Sequence, residues 1–165
     1  MKNSALISCF SVAVVLALSS PLAYAVNMTF SGTLINPPPC TISGGSTIDV
    51  AFGENLGVNK INGTNYTQNV PYTVTCDTTP TGSSELGLTI ISGSVTTFDA
   101  AAIQTDTQDL GIRILKNGTA FTLNTRVPYD KNDPPVLQAV PVQAPGAILT
   151  EGAFSATATL LVDYQ

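Results

Sequence analysis

The segment from Gly152 to Gln165, at the end of the sequence, constrains the fold more than any other stretch. Apolar side chains occupy every second position in it: Phe154, Ala156, Ala158, Leu160, Val162 and Tyr164. Period two is typical of a β-strand that buries one face. No later segment of the sequence is left to pair along the free edge of this strand. We therefore expect something else to cover that edge, because exposed strand edges invite pairing with other chains.

The first residues have the pattern of an export leader. A basic residue, Lys2, precedes an apolar run over residues 5–18, and Ala23-Tyr24-Ala25 follows as a cleavage site of the A-x-A type. The apolar run is short for a membrane-spanning helix. We therefore expect residues 1–25 to be a signal peptide that is removed on export, which leaves a mature chain of one-domain size.

Two cysteines remain behind the predicted leader, Cys40 and Cys76. An even pair of cysteines in an exported chain predicts one disulfide bond. In the chain-entropy model such a bond stabilises the fold by roughly 4 kcal/mol. A metal site is a weak alternative, because two thiols are too few ligands and the sequence has no histidine.

Charge and composition argue against several functional classes. The sequence has 11 acidic and 6 basic residues, a balance that disfavours nucleic acid or an anionic membrane as a partner. It has no histidine, no tryptophan and no Gly-x-Ser-x-Gly elbow. Asp106 and Asp109 are more typical of a solvated loop than of an acid–base pair, and residues 130–133 lack the spacing of a calcium loop. We expect no catalytic site, no metal site, no cofactor and no enzyme activity.

The rest of the sequence predicts an all-β fold, because short runs of β-branched and aromatic residues alternate with turn residues. A hairpin with a type I′ turn is predicted at Asn117-Gly118, and a helical turn at 99–104. This pattern fits a sandwich of two antiparallel sheets. The predicted strands are 28–35, 40–42, 47–52, 66–76, 86–92, 111–115, 120–123, 136–143 and 153–164.

The segment from Val26 to Leu34 also alternates, and Pro37-Pro38-Pro39 separates it from Cys40 and the rest of the chain. Proline cannot donate to a sheet ladder, so the tripeptide sets this segment apart. Two hypotheses stay open on the pattern alone. The segment is either the first strand of its own sandwich, or a detachable strand that adds to the sheet edge of another molecule.

The sequence resembles the minor pilins of chaperone–usher fimbriae, such as those of type 1 and P pili. Four features carry the resemblance. They are an N-terminal extension (30–34) that leads into a first strand (38–42), the spacing of the two cysteines, the mid-domain strand at 110–115, and a C-terminal motif that begins with Gly152 and has Tyr164 next to last.

The resemblance implies an incomplete immunoglobulin-like β-sandwich, the pilin fold, that lacks its last strand. The domain organisation would be a signal peptide (1–25), a donor-strand extension (26–36) and a pilin domain (37–165). The implied partners are a periplasmic pilus chaperone, an outer-membrane usher and neighbouring pilin subunits in a head-to-tail fibre. The chain would be exported through the periplasm to the cell surface, as part of a fimbrium.

The resemblance also implies a role for each residue of the two alternating segments. The donor strand would be Val26, Met28, Phe30, Gly32 and Leu34, with Gly32 where the receiving groove is narrow. The acceptor groove, which also binds the chaperone, would be bordered by Gly152, Phe154, Ala156, Ala158, Leu160, Val162 and Tyr164. The short extension and the proline run favour a minor tip or adaptor subunit that supports adhesion. The alternative is a self-sufficient secreted sandwich that binds a ligand and keeps its first strand.

Overall fold

The computed structural model describes residues 26–32, 34, 39–76 and 85–164. The predicted leader (1–25), Pro37 and Pro38, the predicted turn at 79–82 and Gln165 lie outside the described residues. The chain divides into two units, Met1–Leu34 and Ile35–Gln165.

The described part of the first unit has no regular secondary structure. Its large apolar side chains are exposed: Val26 85%, Met28 75%, Phe30 84% and Leu34 101%. The strand predicted over 28–35 is not formed in the described part of that range. An alternating pattern makes a strand only where a second strand supplies its backbone hydrogen bonds, and the described residues show no such partner.

The second unit consists of short strands, as the all-β prediction requires. Two 3₁₀ turns, Ser43–Gly45 and Val58–Lys60, accompany them. No helix in the part of the chain that the structure describes has the length and apolarity needed to cross a membrane. The strands are β1 Cys40–Ile42, β2 Gln68–Asn69, β3 Val74–Cys76, β4 Leu86–Ile91, β5 Ala102–Gln104, β6 Leu110–Lys116, β7 Thr119–Ala120, β8 Val127–Pro128, β9 Leu137–Gln143 and β10 Thr159–Tyr164.

The strands form a sandwich in which all pairs are antiparallel. The larger sheet has the order β2-β9-β6-β5, with β7 paired to β6, and the smaller sheet has the order β10-β4-β8. The β1 and β3 strands form a separate pair. The core lies between the sheets, because one face of each contributes to a single buried cluster. Its members include Leu88, Ile90 and Val162 from the smaller sheet and Ile103, Ile112, Ile114, Leu137 and Ala139 from the larger.

Two local predictions are confirmed. The β6–β7 hairpin turns at Asn117 and Gly118, whose φ angles of 51° and 78° have the sign that a type I′ turn requires. Cys40 and Cys76 form a disulfide and lie directly opposite each other at one end of the β1–β3 pair.

Besides the strand predicted at 28–35, several predicted elements differ from the structure. Of the strand predicted at 120–123, only Ala120 belongs to a strand, β7. Residues 47–52 form no regular strand, because no neighbouring strand pairs with them within the described residues. The strand predicted at 66–76 is divided into β2 and β3, because β2 pairs with β9 whereas β3 pairs with β1. The helical turn predicted at 99–104 is wrong in its second half. The chain turns where Ala102 N donates to Asp99 O, and it then pairs with β6 as β5.

Candidate functional site: an apolar groove beside the last strand

The last strand, β10, lies at the edge of the smaller sheet. It pairs with β4 over its whole length, from Thr159 opposite Ile91 to Tyr164 opposite Leu86. Among the described strands none pairs with its other edge. The β1 strand comes within 8 Å of β10 between Cα atoms but forms no ladder with it. The edge is therefore available to a further strand.

The hydrogen bonds of β4 indicate to which side each residue of β10 points its backbone N–H and C=O groups. The carbonyls of Leu86 and Ile90 accept hydrogen bonds from Tyr129 N and Asn124 N, each 2.8 Å, on the side away from β10. Residues two apart point their backbone groups to the same side of a strand, so the intervening residues of β4 face β10. Leu160 and Val162, which stand opposite Ile90 and Leu88, consequently direct their N–H and C=O groups to the outer edge.

The strand predicted over 153–164 is paired only from Thr159 onward. Its partner, β4, ends at Ile91, and both backbone groups of the next residue, Ser92, bond to the Asn124 side chain. Ser92 N donates to Asn124 Oδ1 at 2.9 Å, and Asn124 Nδ2 donates to Ser92 O at 3.0 Å. Residues 153–158 therefore continue past the end of β4 without a partner strand.

This overhanging segment is held at one residue by the loop between β5 and β6. Ser155 N and Ser155 Oγ donate to the two carboxylate oxygens of Asp106 at 2.8 and 2.9 Å. Asp106 N donates in turn to Ser155 O at 3.1 Å. The two bonds from Ser155, the backbone one first, lower the pKa of the Asp106 carboxyl below its ordinary value.

An apolar groove of about 670 Å³ runs along the overhanging segment and the start of β10. One bank consists of residues 154–160, and the other consists of residues 45–50 with Phe52. The floor is the apolar core itself. It is formed by Ile90, Ile103, Ile112, Ile114, Leu137 and Ala139. Apolar core side chains that line an open groove are normally covered, so this groove is the candidate binding surface.

A second cavity, of about 760 Å³, begins where the groove reaches Phe154. Val50, Phe52 and Phe154 line both, and the rings of the two phenylalanines lie 6.0 Å apart between centroids. The apolar lining of the second cavity comes from Leu56, Val58, Ile61, Leu110 and Leu149. The pair of phenylalanines thus lies at the boundary between two apolar spaces.

The structure places the predicted acceptor residues in three settings. Four of them line the groove, namely Phe154, Ala156, Ala158 and Leu160. Gly152 lines the second cavity, where its φ of 153° is one that L side chains rarely adopt. Val162 is buried in the core cluster, and Tyr164 is half-buried at the end of β10 beyond the groove lining.

Sequence reasoning missed the opposite bank and the floor of the groove, as well as Asp106. Period two identifies the residues on one strand that share a face, but it does not identify which distant residues stand across from them. Asp106 and Ser155 are 49 positions apart, and no spacing connects them. The Asp106-Asp109 pair was interpreted as a solvated loop, and Asp106 is indeed exposed.

The chemistry of the groove is apolar recognition. Among the described residues, no group of three or more histidine, cysteine, aspartate or glutamate side chains has an arrangement that could hold a metal ion. What the site offers is a strand edge with unpaired backbone groups beside a row of apolar side chains. Such an edge binds an extended peptide whose alternate side chains are apolar.

The fold and the groove define a class, the immunoglobulin-like pilin sandwich. The chain belongs to the fimbrial protein family, whose model matches residues 28–165. It is 44% identical over 156 residues to the fimbrial-like protein YfcQ of Escherichia coli K12, covering 91% of this chain and 95% of that protein.

Two solved structures share the fold. The P pilus adaptor subunit PapF matches with a TM-score of 0.57 and 23% identity, over 79% of this chain and 98% of that one. The P pilus rod subunit PapA matches with a TM-score of 0.59 and 23% identity, over 84% of this chain and 100% of that one. The predicted all-β pilin fold is therefore confirmed.

Proposed function

We propose that this protein is a structural subunit of a chaperone–usher fimbria that polymerises by donor-strand exchange. The observation that carries the proposal is the apolar groove beside the unpaired edge of residues 154–162. Leu160 and Val162 direct backbone groups to that edge, and the floor of the groove is the hydrophobic core. A strand added there completes the sheet and covers the core in one step.

The segment Val26–Leu34 has the properties of such a strand. Its four large apolar side chains are at least 75% exposed and recur at even positions. Burying them in a neighbouring subunit would release roughly 6–12 kcal/mol gross, at about 1.5–3 kcal/mol for each large apolar side chain. The segment is equal in length to the edge from Phe154 to Val162, so its alternating positions match those of the edge one for one.

Antiparallel addition, the arrangement of every described strand pair, places the end of the donor near the start of the acceptor edge. Leu34 then lies near Phe154 and the second cavity, which has the volume for a large side chain. Gly32 lies near Ala156, beside the Phe52–Phe154 pair at which the groove meets the second cavity. A residue without a side chain suits that position.

The partners follow from this mechanism. An exposed apolar groove aggregates unless it is covered, so a periplasmic chaperone would supply a strand until an outer-membrane usher directs the exchange. A chain that gives a strand at one end and accepts one at the other forms a contact that does not close, which builds a fibre. The product would be a fimbrium at the cell surface that supports adhesion.

Within the fimbria we propose a minor tip or adaptor position. This part of the proposal is supported by the short extension before Gly32 and by the proline run before Cys40. The self-sufficient binding sandwich is the second candidate. It requires residues 26–34 to pair within their own chain, and the high exposure of their apolar side chains disfavours it.

Periplasmic expression with and without the cognate pilus chaperone tests the proposal. The chain alone should aggregate or be degraded, and coexpression should give a soluble 1:1 complex. A third arm appends a second copy of residues 26–34 to the C-terminus through a flexible linker, which should give a soluble protein without chaperone. The matched control appends the same residues with the apolar positions moved by one place, and it should stay insoluble. A stable soluble monomer of the unmodified chain would contradict the proposal.

A further inference from the structure

The two halves of the acceptor edge are supported very differently. Residues 159–164 pair with β4 throughout, and Arg126 adds an ion pair to Asp163, with 2.9 Å between Arg126 Nε and Asp163 Oδ1. Residues 153–158 have no partner strand, although they form the bank of the groove. The hydrogen bonds between Asp106 and Ser155 are the ones that the structure shows for this half.

Asp106 bonds to Ser155 in the way that a neighbouring strand would, but at one residue only. Both backbone groups of Ser155 bond to Asp106, the N–H to its carboxylate and the C=O to its N–H. Backbone groups of every second residue point to the same side of an extended segment. Those of Thr159 and Leu161 face β4, so those of Ser155 point to the β4 side, and Asp106 lies there. Phe154 and Ala156, by alternation, direct their backbone groups to the opposite side, where the groove lies.

Asp106 is itself held firmly by the larger sheet. In its loop, Thr105 Oγ1 donates to Leu110 O at 2.9 Å. Gln104 Nε2 lies 3.1 Å from the carbonyl oxygens of Thr105, Thr107 and Leu110. Leu110 is buried at the start of β6. The carboxylate therefore attaches the overhanging segment to a loop of the larger sheet that has several hydrogen bonds of its own.

Other contacts hold this half weakly. Phe154 packs against Phe52 and the core, but Ala156 and Ala158 are exposed and have little apolar surface to bury. Without Asp106, the segment from Ser155 to Ala158 would lose the polar attachment that the structure describes for it. Its backbone would then sample many conformations, and ordering it again would cost conformational entropy when a strand binds.

We propose that Asp106 is a positioning residue for strand acceptance. It holds residues 153–158 extended and leaves their outer edge open, so that an incoming strand binds to an edge that is already formed. This inference rests on the proposed function. Once a donor strand is bound, its own hydrogen bonds hold the segment. Asp106 therefore speeds uptake of the donor much more than it slows its release.

Uptake of a labelled synthetic peptide of residues 26–34 tests this inference. The chain 26–165 is refolded from denaturant with excess peptide, and the rates of uptake and of later release are measured. Asp106→Ala should slow uptake at least about tenfold, since hydrogen bonds to a charged group are lost, and should change release much less. Ser155→Ala, which removes one of the three bonds, should lie between Asp106→Ala and the wild type.

The matched control is Asp109→Asn, which removes a negative charge from the same loop at a position whose φ of 62° asparagine tolerates. It should take up peptide at the wild-type rate. If Asp106→Ala behaves like this control, or if uptake and release change equally, the inference is overturned and the proposed function stands. If the wild type takes up no peptide, both fail. If Asp106→Ala does not refold, Ser155→Ala decides, and a wild-type uptake rate in that variant overturns the inference.

Discussion

A glycine beside the last strand lets an arginine side chain pass close to the backbone and form an ion pair. The Arg126 side chain crosses Gly87 of β4 to reach Asp163 of β10, and its Nη2 donates to the carbonyls of Glu85 and Asp163. A Cβ atom at position 87 would overlap the guanidinium. The missing side chain of Gly87 thus permits an ion pair between β10 and the segment that leads into β8.

Replacing Gly87 with alanine should displace the end of the flexible Arg126 side chain and destabilise the protein with a bound donor strand by up to about 1 kcal/mol, the typical contribution of a partly exposed ion pair. The free energy of unfolding is measured in urea on the protein with a donor strand bound in its groove. Gly93→Ala is the control, because a Cβ there meets nothing within 4 Å and its φ is not in the left-handed region. Equal free energies of unfolding for the two variants would refute the assigned role of Gly87.

Tyr72 should make stability sensitive to alkaline pH. Burial first, and then the charge of Tyr129, raises the pKa of Tyr72 to about 12, and its hydroxyl donates to Pro135 O at 2.7 Å. The unfolded chain loses this proton near pH 10, so the contribution is complete below pH 10 and is lost as pH rises toward about 12. Tyr72→Phe should show a smaller fall in unfolding midpoint between pH 10 and 12. An unchanged slope would contradict the assignment.

At the scale of elements, short strands need support from outside their own ladders. The β1–β3 pair has only three residues in each strand, and its first register pair is the disulfide between Cys40 and Cys76. Immediately after β1, residues 45–50 form one bank of the groove. The disulfide therefore joins the two strands of the pair whose first strand leads into that bank.

Replacing Cys40 and Cys76 together with serine should lower the free energy of unfolding by about 2–4 kcal/mol, the usual contribution of a native disulfide. Urea unfolding of the strand-complemented protein gives the value. Reduction of the wild-type protein should give the same loss, which controls for the serine side chains. If neither treatment changes the unfolding midpoint, the disulfide does not stabilise the fold.

At the scale of the whole molecule, the proposed function requires one chain to give a strand and to accept one. The two activities depend on different residues, those of Val26–Leu34 for giving and those of 154–162 for accepting. A substitution in the giving segment should therefore leave acceptance intact. This separation is what allows polymerisation to be tested apart from folding.

Replacing Gly32 with leucine should block donation to a neighbouring subunit, because a large side chain at the position proposed for Gly32, near Ala156 and beside the Phe52–Phe154 pair, would clash with the groove. The variant should still form a complex with the chaperone and still take up the peptide of residues 26–34. Ser31→Leu is the control, since it adds the same side chain at the adjacent position, which points to the other face of the strand. Fibre assembly observed by electron microscopy reports donation, and loss of the chaperone complex would show that Gly32 serves the fold of its own chain.

Predictions from sequence succeeded where the cause is local. Asn117 and Gly118 specify a type I′ turn by themselves. Alternation likewise predicts which side chains from Phe154 to Val162 point to the same face. The limits of strands were less predictable. Residues 153–158 and 47–52 have strand-like composition but no ladder, because pairing depends on whether another segment lies alongside.

The sequence by itself determined the all-β class, the hairpin, the pair of cysteines and the apolar faces of the two alternating segments, since each depends on residue types at short spacing. Tertiary structure decided where β4 ends, which side chains form the floor and far bank of the groove, and that Asp106 holds Ser155. Those outcomes depend on contacts between residues distant in sequence, such as Asp106 with Ser155. The free energy of such contacts exists only once the sheets have packed, so no local pattern encodes them.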